Sequence, residues 1–297
     1  MYPRPFRYHR APSLQQASAM LADLGAEAKV LAGGQSLIPL MKLRFSSPAH
    51  LVDIGFIPSL SYSKRENGSW RIGAMTRHAQ LESADIAAAI PIVHDCAAGI
   101  ADVQVRNLGT IGGSLAEADP TGDWAPVLLA LGASTVVTGR GGERTIAIAD
   151  LIRDAFTTSL AADELIKEVV IQVPPPSSGG AYLAFKRCAA VYASASVAAQ
   201  LTLHKSTCAQ AKIVLGAVGL TPIVVKQAET ILKGKEIREK EIEQAADAAA
   251  SAADPEDDMR GTADYKRQLV RALTREALQA ALHRCRGERV ELSHHYA

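Results

Sequence analysis

Apolar residues recur along this chain with two periods, about every third or fourth position and every second position, and the succession of the two predicts its elements. Residues 13–24 place Leu14, Ala17, Met20, Leu21 and Leu24 on one helical stripe, with Ser13 as N-cap and Gly25 as stop. Residues 29–31 predict a short strand that runs into Ala32-Gly33-Gly34-Gln35-Ser36. Ser36 is placed to cap a helical segment over 37–43, where Pro39 falls in the first turn and its missing N–H costs little. A second strand over 51–54 and Ile57-Pro58 close a small βαβ-like unit.

Residues 69–74 predict a strand, and 79–90 and 92–100 predict helices, the latter ending near Gly99. Residues 103–108 lead into a second glycine-rich turn, Thr110-Ile111-Gly112-Gly113-Ser114. Asp119-Pro120-Thr121-Gly122-Asp123 follows, ahead of an apolar helix over 124–131. Residues 134–138 and 143–148 predict a hairpin around Gly139-Arg140-Gly141-Gly142, and 165–173 a last strand. The sharpest break is Pro174-Pro175-Pro176-Ser177-Ser178-Gly179-Gly180, whose composition favours an extended connection. Dividing the chain there gives one domain over 1–176, with subdomains of about 1–58 and 59–176, and a second over 177–297. The second starts with strands over 181–187, 196–204 and 211–219. Helices follow within 221–232, over 237–252 and over 264–283, the last with Leu269, Leu273, Ala277 and Ala280 in helical register. The class is α+β.

Composition removes several functions. A net charge of +1, with both signs interspersed, gives no electrostatic footprint for nucleic acid or an anionic membrane surface. No apolar run approaches the roughly 18–20 residues of a membrane span. Met1-Tyr2-Pro3-Arg4-Pro5-Phe6 lacks a signal-peptide core, so the expected location is the cytoplasm. Cys96, Cys188, Cys208 and Cys285 are scattered with no CxxC pair, so neither an iron–sulfur cluster nor a zinc site is expected here. His294-His295 is read as a polar terminus rather than a metal pair, and no metal site is expected.

The glycine segments carry the chemistry. Glycine admits positive φ and close approach, and successive amides in such a turn can point together at an anion. Two of them suggest one extended anionic ligand held from two sides, as a dinucleotide pyrophosphate would be. No G-x-G-x-x-G fingerprint, Walker loop or G-x-S-x-G elbow is present.

The flanking residues narrow the reading. The segment from Ala32 through Gly33-Gly34-Gln35-Ser36-Leu37 to Arg44 resembles the first FAD loop of the flavoprotein subunits of molybdenum hydroxylases. That group comprises the medium subunits of aerobic carbon monoxide dehydrogenase and the FAD domain of xanthine dehydrogenase. Arg106-Asn107, residues 109–114, Ala118-Asp119-Pro120 and Asp123 resemble the second loop. Lys186-Arg187 with Tyr192-Ala193 resembles a third family segment, and Asp258-Met259-Arg260-Gly261 with Tyr265-Lys266 the signature of the C-terminal domain. The likeness runs through nearly the whole chain in order.

This resemblance implies a two-subdomain FAD-binding module of the vanillyl-alcohol-oxidase-like (PCMH) type, then a small α+β C-terminal domain with a three-stranded sheet and helices. It implies FAD, its pyrophosphate wrapped by backbone amides of Ala32, Gly33, Gly34, Gln35, Ser36 and Leu37 and of Thr110, Ile111, Gly112, Gly113 and Ser114, with Ala118 beside them. Asp123 would accept from the ribose or a neighbour, the backbone of Ile166 would meet the adenine side, Tyr192 would lie near the isoalloxazine and Lys186 near the cofactor's polar edge. No catalytic residue beyond the flavin is implied. The function implied is an oxidoreductase subunit passing electrons from a [2Fe-2S] small subunit through FAD to NAD, quinone or oxygen. The molybdenum cofactor would sit on a large subunit, the whole a dimer of heterotrimers. The alternative is a self-sufficient FAD-dependent oxidase or dehydrogenase of a small organic substrate.

Three positions depart from the family pattern: Gln35, where histidine is common, Glu117, where histidine or another polar residue is common, and Val191, where aspartate is common. They bear on flavin potential and acceptor preference. On the residues alone, Asp123 also suits an N-cap, Asp119 a turn former, Lys186-Arg187 a solvated strand edge, and Arg260 and Tyr265 ties for the final helix.

Overall fold

Arg7–Arg10 pairs in parallel with His50–Asp53, which pairs in parallel with Ala28–Leu31, so the chain's first strand is one that no apolar alternation announces. In the computed structural model, which describes residues 2–292 and the backbone of residues 295 and 296, this three-stranded sheet is followed by two of five strands. His294 and the side chain of His295 lie outside the described residues. Leu14–Leu24 makes the first crossover, with the Ser13 hydroxyl accepting from the Gln16 amide at 3.2 Å and Gly25 at φ +60° ending it. Leu37–Leu43 makes the second.

The next sheet is antiparallel throughout, in the order Ser63–Glu66, Ser69–Gly73, Leu165–Gln172, Ser134–Gly139, Gly142–Ala147. Its edge strand Ser63–Glu66 is missing from the apolar pattern because its residues are charged or polar and largely exposed, as suits an edge. The excursion between Gly73 and Ser134 is helical, and the expected helix over 79–90 is two short ones, His78–Glu82 and Asp85–Ala89. The second glycine segment is not a free turn. Thr110 caps a helix, Ile111–Glu117, whose first turn holds both glycines. A small hairpin of Ile152–Asp154 and Thr157–Thr158 stands beside it.

The last sheet has the three expected strands at its centre, Ser178–Lys186, Ala195–His204 and Thr207–Gly216, with Ile223–Val224 and His295–Tyr296 as two-residue edges. Gly179 and Gly180 belong to a strand rather than to a flexible connection. A Cβ on Gly179 would stand 2.3 Å from the Ala281 carbonyl oxygen, so glycine is what lets this strand meet the final helix. The sheet is buried on both faces. Leu183, Val197 and Leu215 face the helices Glu239–Ala252 and Ala263–Cys285. Tyr182, Ala184, Ala198 and Val214 join the core built by the helices Pro91–Gly99 and Trp124–Ala130. Arg260 pairs with Asp258, and Tyr265 packs edge-on against Phe185, which ties the start of the final helix to the sheet as expected. Among the described residues no helix is long and apolar enough to cross a membrane.

Candidate functional site

A cavity of about 580 Å³ opens where the three sheets approach one another, within the roughly 300–1,000 Å³ of small-molecule and cofactor sites. Residues 32–37, Thr110, residues 112–114, Asp123, Ile166, Lys186 and Tyr192 all line it. Segments separated by up to 160 positions in sequence therefore meet at one site. Two of the sequence-predicted residues do not face it. The Ile111 side chain is fully buried in the core, with its amide donating to the Thr76 carbonyl at 3.2 Å. Ala118 is buried behind the wall at φ +49°, with its carbonyl accepting from Phe156 N at 2.9 Å.

The two glycine segments meet where a Cβ on Gly113 would stand 3.7 Å from the Ala32 Cβ, and each is also pressed against a neighbouring segment. A Cβ on Gly33 would lie 2.2 Å from the Leu108 carbonyl oxygen, and one on Gly112 would lie 2.5 Å from the Ala74 Cβ. Their amides differ. Among the described residues, no acceptor lies within hydrogen-bonding reach of the amides of residues 33–37, which gives the cavity a row of free donors. In the second segment every amide from 111 to 114 is spoken for. Ile111 N reaches Thr76 O, Gly112 N reaches Ala74 O at 2.9 Å, Gly113 N reaches Thr110 Oγ1 at 3.1 Å, and Ser114 N reaches Thr110 O at 3.0 Å. The expected clamp of amides from both sides is thus corrected: the first segment offers amides, the second a helix start and the Ser114 hydroxyl.

Asp123 is nearly buried and makes no side-chain cap for the helix it precedes. Its carboxylate accepts from the Tyr182 hydroxyl at 2.7 Å and pairs with Lys186 Nζ at 3.2 Å. Lys186 is not a solvated edge: it is 1 % exposed and also donates to the Gly99 carbonyl at 2.7 Å. Burial and the Asp123 charge push the Tyr182 hydroxyl well above its ordinary range, so it stays a donor. A buried cation holding a buried carboxylate in place gives the cavity a fixed polar corner.

His78, which sequence reasoning missed, also lines the cavity. The Trp124 indole donates to His78 Nδ1 at 3.0 Å. An indole N–H can only donate, so this bond assigns the neutral ring's proton to Nε2. Burial lowers the ring's pKa from 6.5 to about 4, with the neighbouring Asp123 opposing. The folded chain therefore binds fewer protons than the unfolded one between those values, and stability present above pH 6.5 is lost as pH falls toward 4. The expected loss is roughly 3 kcal/mol over that window. Urea titrations at pH 7 and pH 4.5 should show it in the natural protein and a clearly smaller pH effect in His78→Gln; equal pH effects would sink the assignment.

Asp119 is the turn former expected, its carboxylate accepting from Thr121 N at 2.8 Å and Thr121 Oγ1 at 2.6 Å. Beside it, burial and then the Asp119 charge hold the Glu117 carboxyl above the usual carboxylate range. Burial, followed by the charges of Asp119 and Glu117, lifts the half-exposed Tyr192 phenol to about 12. Among the described residues no three histidine, cysteine, aspartate or glutamate side chains gather as a metal-ligand set.

Comparison with known proteins follows the same outline. The family described as the FAD binding domain in molybdopterin dehydrogenase matches residues 4–175, and the CO dehydrogenase flavoprotein C-terminal domain matches residues 180–281. The 6-hydroxypseudooxynicotine dehydrogenase complex subunit alpha of Paenarthrobacter nicotinovorans is 40% identical over 296 residues, covering 99% of this chain and all of that one. The carbon monoxide dehydrogenase medium chain of Afipia carboxidovorans is 38% identical, covering 97% of this chain and all of that one. A solved structure of carbon monoxide dehydrogenase from Hydrogenophaga pseudoflava superposes with a TM-score of 0.93 at 38% identity, over 96% of this chain and 100% of that one.

Proposed function

The chain belongs to the family of FAD-binding subunits of molybdopterin dehydrogenases, an oxidoreductase family, and we propose that it relays electrons from a [2Fe-2S] partner through FAD to an external acceptor. The observation that carries this reading is the row of free amides at residues 33–37 facing a cavity of cofactor size. Successive unengaged amides in such a turn suit a pyrophosphate. FAD, when bound, supplies the ability to take electrons one at a time and release them as a pair.

The chain's own residues would bind and orient it. Residues 33–37 hold the pyrophosphate, with the Ser114 hydroxyl across from them. Asp123, fixed by Lys186 and Tyr182, receives a sugar or ring donor without having to reorganise, because its carboxylate is already held on two sides. Ile166, almost fully buried, and Tyr192, half-exposed, both line the cavity that would hold it. Cys96 lies in one core, Cys208 and Cys285 in another, and Cys188 is exposed, and among the described residues no four cysteines gather as a cluster needs, so in this reading the thiolates that hold the cluster belong to another chain. The domain division at 176/177 and assembly into a dimer of heterotrimers with small and molybdenum-bearing large subunits belong to the same proposal. The relatives named as a complex subunit and a medium chain support it.

The test is to purify the chain alone and with its neighbours and record the visible spectrum before and after adding an organic substrate. The expected result is a yellow chain with one FAD, bleached by substrate only when the iron–sulfur and molybdenum chains are present. A chain that takes up no FAD would overturn the reading. One that oxidises an organic substrate unaided would replace it with a self-sufficient oxidase.

A further inference from the structure

Glu117 ends the helix Ile111–Glu117, and the left-handed Ala118 after it turns the chain so that residues 117 and 119 both reach the cavity. The other carboxylates of that lining are engaged. Asp123 is held by Tyr182 and Lys186, Glu164 is gripped by Arg144 at 2.7 and 2.8 Å, and Asp119 accepts from Thr121. Glu117, among the described residues, has neither a hydrogen bond nor an ion pair. The groups acting on it come from three elements: Asp119 on the following turn, Tyr192 on the loop after the strand Ser178–Lys186, and Lys29 on the strand Ala28–Leu31. Burial and Asp119 favour its protonated form, and Lys29 opposes them. Such a carboxyl is free to change protonation without breaking any contact of the fold.

We propose that Glu117 is the group that takes up a proton when the cavity gains negative charge, coupling reduction of the bound cofactor to the protonation of a side chain. This rests on reading the cavity as the FAD site. Bound FAD would take an electron pair from the reduced iron–sulfur partner, or from dithionite in a titration, with one proton from solvent, which adds one net negative charge to the cavity. A second proton, given up by hydronium or a buffer acid as its own O–H bond breaks, forms an O–H bond on the Glu117 carboxylate. A negative charge arriving near a carboxylate raises its pKa. Between the values with oxidised and with reduced cofactor, reduction therefore binds that extra proton. Below both values Glu117 is neutral throughout and has no influence; above both it stays charged and opposes reduction.

The experiment is redox titration of the FAD-loaded full chain, followed by its visible spectrum from acid to alkaline pH. In the natural protein the midpoint potential should fall across an interval with two protons per electron pair. In Glu117→Gln it should fall with one, halving the slope there. The two proteins should coincide at the acid end, with Glu117→Gln the more readily reduced at the alkaline end. Glu117→Asp, which keeps the carboxyl, should retain the steep interval, and Glu117→Ala substitutes for the glutamine variant if the latter does not hold FAD. Equal slopes in natural and variant proteins, both loaded with FAD, overturn this inference alone. A natural chain that takes up no FAD overturns the site reading and this inference with it.

Discussion

Replacing Gly33 by alanine should lower the chain's affinity for FAD by about 100-fold, roughly 2.8 kcal/mol. The added Cβ would lie 2.2 Å from the Leu108 carbonyl oxygen and 2.9 Å from the Gly109 Cα, and both are backbone atoms that cannot rotate away. Leu108 and Gly109 are themselves pinned: Arg77 donates to the Leu108 carbonyl, and His78 N donates to Gly109 O at 3.1 Å. The displacement therefore falls on residues 33–37, the segment whose free amides line the cavity. Overpacking of this kind costs about 1–3 kcal/mol, and here the cost appears as lost binding because the segment that moves is the one that binds. Fluorescence titration of the apo chain with FAD measures it. Gly141→Ala is the control, since a Cβ there meets nothing within 4 Å, and it should bind as the natural protein does. A Gly33→Ala chain that holds FAD as tightly as the natural one would show that the free amides are not the binding element.

The contrast between the two glycine segments marks what the chain makes legible. Ala32-Gly33-Gly34-Gln35-Ser36 announces itself because its glycines cluster between a strand and a helix, and the structure keeps it as a turn with Gly34 at φ +73°. Thr110-Ile111-Gly112-Gly113-Ser114 looks the same in sequence yet forms a helix. Each glycine there costs about 1 kcal/mol of helix propensity, but the Thr110 cap and the bonds from residues 111 and 112 to Thr76 and Ala74 outweigh it. Those partners lie some 35 positions away, and no local pattern carries them. Lys186 misleads for the same reason: a lysine beside an arginine at a strand end looks solvated until Asp123 and Gly99, on other elements, surround it. His78 is invisible because its tautomer and its lowered pKa depend on Trp124, 46 positions on, and on burial. Strands such as Arg7–Arg10 and Ser63–Glu66 form through backbone pairing to apolar neighbours and need no apolar alternation of their own. Signals carried by adjacent residues survive in the sequence, and those made by tertiary neighbours do not.

The second large effect follows from a pair 189 positions apart. Asp95→Asn should destabilise the chain by about 3–5 kcal/mol, a fall in thermal midpoint on the order of 10 °C. Asp95 sits on the helix Pro91–Gly99 and Arg284 near the end of the final helix, their side chains 1 % and 6 % exposed. The guanidinium grips the carboxylate with two bonds, of 2.5 and 2.9 Å, and the same two Nη nitrogens also donate to the Gly180 carbonyl at 2.6 Å and the Val290 carbonyl at 2.7 Å. Tyr182 N donates to the same carboxylate at 3.1 Å. The pair therefore bolts both faces of the last sheet together, with the strand Ser178–Lys186 between. Neutralising Asp95 leaves a buried cation uncompensated, which is where most of the loss arises. Removing both charges, as Asp95→Asn with Arg284→Met, should cost less than the sum of the single changes, because the second removes the orphan the first creates. Urea denaturation of the four proteins measures that coupling. Strict additivity would show that the two groups act on stability independently, and that the sheet's two faces are held by apolar packing alone.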